Sequence, residues 1–280
     1  MVYDVSKRFG GIAAVSGVSF SVAPGEIVGF IGPNGAGKTT LFDVISGFLP
    51  ADGGRIELAG DDGLHDITRK SPQSRARSGL GRSFQDGRLF PALTLNETIA
   101  VALETHVGVR DPLAAALHFP SVTDSEDRVS ERVEELIELM GLGAYRDKFV
   151  HELSTGTRRI VDLACVLAHS PAVLLLDEPS SGIAQREAEA LGSVLLQVRD
   201  RLGASLLVIE HDLPLLSSVA ERIIALDLGE VIAEGTPDTV VHDPAVVASY
   251  LGTTESTIAR SGVQATLETV VSGGRDPDPN

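Results

Sequence analysis

The chain has 280 residues, 43% hydrophobic and 22% charged, an ordinary globular composition with length for one large or two modest domains. Its 39 acidic against 23 basic side chains leave a formal charge of -16, which argues against a nucleic-acid backbone as the main partner. The one candidate basic patch, RKSPQSRARSGLGR (69–82), reads equally well as a solvated helix and turn.

At the start, MVYDVSKRFGG lacks the apolar run of a secretory signal. No stretch approaches the roughly 20 apolar residues of a membrane helix, so a soluble, cytoplasmic protein without a direct membrane span is expected. VSFSV (18–22) alternates like a half-exposed strand, and EIVGFIG (26–32) reads as a buried strand entering a glycine turn. A helix follows from about Lys38 to Ser46. GLGRSFQ reads as a strand closed by Gln85. Residues 94–151 change character: TLNETIAVALETH and SEDRVSERVEELIELMGL place Val129, Val133, Leu136, Ile137 and Met140 at helical spacing, with no strand signal between. Cys165, the single cysteine, excludes an intrachain disulfide and reads as a buried structural thiol among Ile160, Leu163, Val166 and Leu167. VLLLD (173–177) and LLVIE (206–210) are strands covered on both faces. RIIALDLGEVIAEG (222–235) reads as a hairpin turning at Leu228-Gly229 and ending the folded α/β part. The tail 253–280 is rich in Ser, Thr, Gly and Pro and much of it is expected to be disordered, so its removal should leave folding intact. Strands alternating with helices predict an α/β fold with a mainly parallel sheet.

GPNGAGKT fits the phosphate-loop pattern and lies between a buried strand and a helix, as its mechanics require. Gly32, Gly35 and Gly37 let the backbone wrap closely, so that successive N–H groups can face phosphate oxygens. The helix N-terminus adds its positive end. Lys38 would bridge the β- and γ-phosphates, and Thr39 would place its hydroxyl on Mg²⁺. Asp177 ends a strand where a carboxylate could hold that ion through water, and Glu178 follows as the group polarising the attacking water. Without the loop, the same acids would be an ordinary strand end. Gln85 could contact Mg²⁺ and the water; His211 is either a further site residue or a surface histidine beside Asp212, a fair N-cap for LPLLSSVA.

These pieces, in this order, resemble the ATPase subunit of an ABC transporter over residues 2–252. The markers are the Walker A loop (Gly32, Pro33, Asn34, Gly35, Ala36, Gly37, Lys38, Thr39 and Thr40), Gln85, the signature LSTGT (153–157), VLLLDE (173–178), SSGIA (180–184) and His211. Phe9 falls where that family stacks an aromatic ring on adenine; its other reading is an anchor for the first strand. The resemblance implies a P-loop ATPase core with an antiparallel β subdomain and an inserted helical subdomain at about 86–165, all within a domain spanning 1–252. GRSFQDGRLFPALTLNETI, IEHDL and EGTPDTVVHDPAVVASYLG are similar to ATPase subunits of branched-chain amino acid importers.

By the same resemblance, two ATPase subunits stack head to tail, and Ser154 with the N–H groups around Gly156 closes on ATP held by the neighbour. The family pattern LSGGQ is altered at Thr155 and Thr157, and Ala184 stands where Asp or Asn is usual. These changes, at positions that read across the dimer, point to a heterodimer, with a homodimer that tolerates them as the alternative. A membrane permease is the implied partner, docked near Gln85 and residues 86–98, with the chain peripheral on the inner face of the membrane and moving branched-chain amino acids or related small polar solutes. Two rivals remain at this stage: a soluble ABC-type ATPase acting on DNA or ribosomes, and a regulatory nucleotide-binding module.

Overall fold

The computed structural model describes residues 1–60, 62–84, 89–104 and 120–250, with side chains from 127 onward in the last range. Strands β1 (Val2–Phe9), β2 (Ile12–Phe20), β4 (Gly53–Gly60) and β5 (Gly63–Asp66) form an antiparallel sheet in the order β2-β1-β4-β5. A second sheet runs β10-β9-β3-β8-β7-β6, from β3 (Ile27–Ile31), β6 (Leu80–Arg82), β7 (Val173–Asp177), β8 (Ser205–Ile209), β9 (Arg222–Asp227) and β10 (Glu230–Gly235). All its neighbours are parallel except the β9–β10 hairpin.

The period-two alternation of β3, β7 and β8 divides the core. Ile27 and Ile31, with Leu174, Leu176, Leu206 and Val208, face the helices of one layer. Val28 and Phe30, with Leu175, Leu207 and Ile209, face the other layer, which holds α1 (Lys38–Ser46) and the antiparallel sheet. Every β3 residue is buried. Gly29 is required there, because an added Cβ would lie 2.8 Å from Leu216 of α7 (Leu213–Val219).

Helix α1 spans the residues the sequence indicated. Strand β2 begins earlier than VSFSV and ends at Phe20, while Val18 and Phe20 are buried around exposed Ser19 as alternation requires. Helix α3 (Leu95–Ala102) opens with a Thr94–Glu97 capping box. Helix α4 (Pro120–Leu139) starts ahead of the apolar periodicity, and among the described residues of this region Thr94 and Phe149 make an isolated bridge. Helices α5 (Thr155–Leu167) and α6 (Gln185–Leu202) complete the layer. Leu228 and Gly229 both take positive φ, 47° and 84°, the two-residue turn whose twist suits a hairpin.

Three expectations are corrected. The hairpin does not end the fold: α8 (Pro237–Val241) and helical residues 244–250 follow, and Val240 and Val246 enter the core. Strand β6 ends at Arg82, short of Gln85, which lies outside the described residues, as do 86–88 and the tail 253–280. The basic stretch is not a fully solvated helix. Arg75, on α2 (Pro72–Arg77), is 2% exposed and donates to the carbonyls of Val44 (2.7 Å), Ile45 (2.6 Å), Thr68 (2.6 Å) and Lys70 (3.0 Å). Its charge caps the C-terminus of α1, where the helix dipole is negative. Burial lowers its pKa, with Asp66 opposing. Arg75→Ala should cost about 3 kcal/mol or more, because buried carbonyls lose charged donors; chemical denaturation measures it.

Candidate functional site

Strand β3 delivers the chain at Ile31 into Gly32-Pro33-Asn34-Gly35-Ala36-Gly37, and α1 begins at Lys38. Two glycines are fixed by close approach. An added Cβ on Gly32 (φ 144°) would lie 2.1 Å from the Leu226 carbonyl oxygen, and one on Gly37 (φ 100°) 2.2 Å from that of Ala14. The hairpin tip braces the loop: the Gly229 N–H donates to the Ala36 carbonyl (2.9 Å), and its carbonyl accepts from Ser16 N–H (2.8 Å). Gly37 offers no side-chain cap to α1, so the first-turn N–H groups present an anion-binding terminus. Lys38 is 6% exposed, and its Nζ donates to the carbonyls of Gly32 (2.6 Å) and Pro33 (3.1 Å). Burial pulls the Lys38 pKa down, against Glu178 and Asp177. Thr39 and Thr40 follow on the first turn.

The neighbouring strand ends bring the carboxylates. Asp177 closes β7 and is buried; burial pushes its carboxyl up, Arg82 pulls it down, Glu178 and Asp43 add to the rise, and a hydrogen bond from Thr39 opposes it. Its Oδ1 is buried without a protein partner. A buried carboxylate oxygen beside a hydroxyl is what a hard divalent cation takes, so the donor set fits magnesium. Glu178 holds a positive φ of 51°, its N–H bonded to the Ile209 carbonyl at the end of β8 (2.9 Å). Its Oε1 lies 3.0 Å from His211 Nε2. Asp212 caps α7 through Leu215 N–H, so His211 is fixed immediately ahead of a helix start.

Sequence reading missed two side chains that set this geometry. Glu210, 2% exposed, accepts from the N–H (2.7 Å) and hydroxyl (2.8 Å) of Ser180 and from the N–H of His211 (3.1 Å). It thereby ties the SSGIA loop to the strand end carrying His211; a carboxylate closing the buried run LLVIE was its signal. Arg82 pairs with Asp43 (2.7 Å) and Ser46 (2.6 Å) and reaches Asp177 at 3.5 Å, with its guanidinium over Phe48 and Phe84. It joins the end of β6 to α1 and to β7.

The signature lies on a separate helix start. Ser154 caps α5, accepting from Thr157 N–H (3.1 Å), and its hydroxyl donates to Glu187 Oε1 (2.9 Å). Thr157, the altered residue, adds its hydroxyl at 3.0 Å from that of Ser154. Glu187 also accepts from Ala184 N–H (3.3 Å) and leaves no room at Gly156, where an added Cβ would be 2.5 Å from its carboxyl carbon. Ala184, the N-cap of α6, makes no side-chain cap; Glu187 supplies only the reverse half of a capping box, by accepting from the Ala184 N–H. Phe9 ends β1 at 49% exposure under Lys7 (5.7 Å), so it is not an anchor for the strand.

On α5, burial raises Asp162 to about 6, with Arg159 opposing. The native state holds this proton more tightly than the unfolded chain, so stability falls as pH rises from the usual carboxylate range through about 6. Asp162→Asn should therefore add about 1–2 kcal/mol above pH 7, reduced for partial exposure, and nothing below about pH 4; thermal melts at the two pH values check it. Burial likewise pushes the Cys165 thiol up to about 12, which makes it unreactive.

A parallel sheet with a phosphate loop after one strand and paired carboxylates after another defines the class, a P-loop ATPase core. Comparison with known proteins narrows it. A profile of the ABC transporter family matches residues 15–181, and one described as branched-chain amino acid ATP-binding cassette transporter matches 230–256. The high-affinity branched-chain amino acid transport ATP-binding protein BraF of Pseudomonas aeruginosa is 34% identical over 90% of this chain and 96% of its own. The protein of the same description, LivG, of Escherichia coli K12 is 35% identical over the same shares. The crystal structure of the ADP conformation of an ATP-binding cassette of an ABC transporter superposes with a TM-score of 0.75 at 30% identity, over 90% of this chain and 97% of that one. The chain belongs to the ABC transporter family and is an ATP-binding, ATP-hydrolysing transporter subunit. None of the helices among the described residues is long and apolar enough to cross a membrane.

Proposed function

We propose that this subunit powers import of branched-chain amino acids or related small polar solutes through a separate permease, from the inner face of the membrane. The observation that carries the catalytic part is the meeting of Lys38, Thr39–Asp177 and Glu178–His211 at the carboxyl ends of adjacent parallel strands, the place where open α/β sheets bind ligands. Lys38 leaves its loop carbonyls for the β- and γ-phosphates, while N–H groups from Gly32 to Thr40 surround them. Phe9, exposed at the end of β1, stacks on adenine. Thr39 and Asp177, with Gln85, would hold magnesium, which when bound would neutralise phosphate charge. Glu178 orients the attacking water and takes its proton; His211 holds the Glu178 carboxylate in place.

The second half of the site comes from another ATPase subunit. Ser154 and the N–H groups around Gly156 open α5 as an anion-binding terminus. Glu187 covers that terminus here, so closure on a neighbour's γ-phosphate displaces it. With Thr157 and Ala184 altered, a heterodimer with a related ATPase subunit fits better than a homodimer. The domain spans 1–252, with the permease seated near Gln85 and the helical insertion at about 86–165. The match of 230–256 to the branched-chain profile supports the solute class.

Purification of the tagged chain from membranes, followed by uptake into vesicles, tests this reading. Recovery of a permease and a second ATPase, with ATP-driven uptake of leucine, isoleucine or valine, is the expected outcome. Recovery of an ATP-driven complex that moves none of these, or of no membrane protein at all, would overturn the transport assignment.

A further inference from the structure

The geometry points to Tyr250 as a positioning residue for the phosphate loop, tying the C-terminal segment to the nucleotide site. Its phenol oxygen accepts a hydrogen bond from the Gly32 N–H at 2.9 Å. The carbonyl of the same glycine accepts from Lys38 at 2.6 Å, and its Cα faces the Leu226 carbonyl too closely for any side chain. Both peptide groups flanking Gly32 are thus held: one by Tyr250, the other by the lysine that is to meet the phosphates.

The ring lines a small cleft together with Ile31, at the end of β3, Leu213, two residues after His211, and Val241, Val246 and Val247. Val240 and Val246 are 1% and 3% exposed, so the segment carrying Tyr250 is packed onto the domain rather than laid on its surface. Tyr250, 36% exposed, thus reaches the entry of the phosphate loop from the wall of this cleft. A buried amide left without an acceptor is costly, so the hydroxyl selects the peptide orientation in which Gly32 starts the loop.

The inference rests on the assignment of the phosphate loop as the ATP site, and the test separates the two. In the full chain, MgATP affinity and Gly32 amide hydrogen exchange are measured for wild type, Tyr250→Phe, Tyr250→Ala and Lys38→Ala, with KM and kcat for the assembled transporter. Tyr250→Phe keeps the ring and removes only the acceptor. It should weaken MgATP binding and raise KM about five- to tenfold with little change in kcat, and it should speed Gly32 exchange. If Tyr250→Phe matches wild type in affinity and exchange while Tyr250→Ala only lowers the melting midpoint, the tyrosine is mere packing and the inference fails. If Lys38→Ala also binds MgATP normally, the site assignment itself has failed.

Discussion

Glu178→Gln should bind MgATP as tightly as wild type yet turn it over at least about 100-fold more slowly. The amide keeps the shape of the side chain and can still meet His211, so the fold and phosphate loop are undisturbed. It cannot take a proton from water, and that loss falls on the reaction step alone. Equal binding with a collapsed kcat is the signature of an interaction used only in the transition state. A kcat within a few-fold of wild type would remove Glu178 from the chemistry.

Lys38→Ala should act one step earlier, weakening MgATP binding by at least about 100-fold as charge-assisted hydrogen bonds to two phosphates are lost. The lysine is already 6% exposed and held by the loop carbonyls of Gly32 and Pro33, so it is aimed before nucleotide arrives. Its truncation relieves a buried charge, and the melting midpoint should not fall with the affinity. Isothermal titration and thermal melts on the same preparation separate the two effects.

Much of this was legible in the sequence because the signals are local. A buried run, glycines at fixed spacing and an N-terminal helix turn have one economical arrangement, and β3, the loop and α1 follow it. VLLLD and LLVIE likewise announce strands whose ends must carry Asp177 and the Glu210-His211 pair. What the pattern did not reveal is long-range. Arg75 looks like surface charge until α2 is placed against the end of α1, some 30 residues away. Arg82 closes a short strand, and nothing near it in sequence shows that Asp43 and Asp177 are its partners. Tyr250 lies 218 residues from Gly32. Glu187 was readable from its distance to Ala184 as a cap, but its grip on Ser154 was not, because α5 and α6 meet only in three dimensions.

The departures from the family pattern also take on physical content. Thr157 supplies a hydroxyl to Ser154, and Ser154 still caps α5 and donates to Glu187, so the signature terminus keeps its hydrogen bonds. The altered residues change what the terminus offers a partner while leaving its own fold satisfied. On the proposed reading, that separates binding at this chain's own loop from turnover with a second subunit.

The most direct test of a site shared between two chains is ATP hydrolysis by the assembled transporter carrying Ser154→Arg in this subunit. Arginine at the start of α5 blocks the terminus without touching Lys38, Asp177 or Glu178. The account predicts that the isolated variant binds MgATP as wild type does, while hydrolysis by the complex falls at least about tenfold. Undiminished hydrolysis by the complex, or fast cooperative hydrolysis by this chain alone as a stable homodimer, would contradict it.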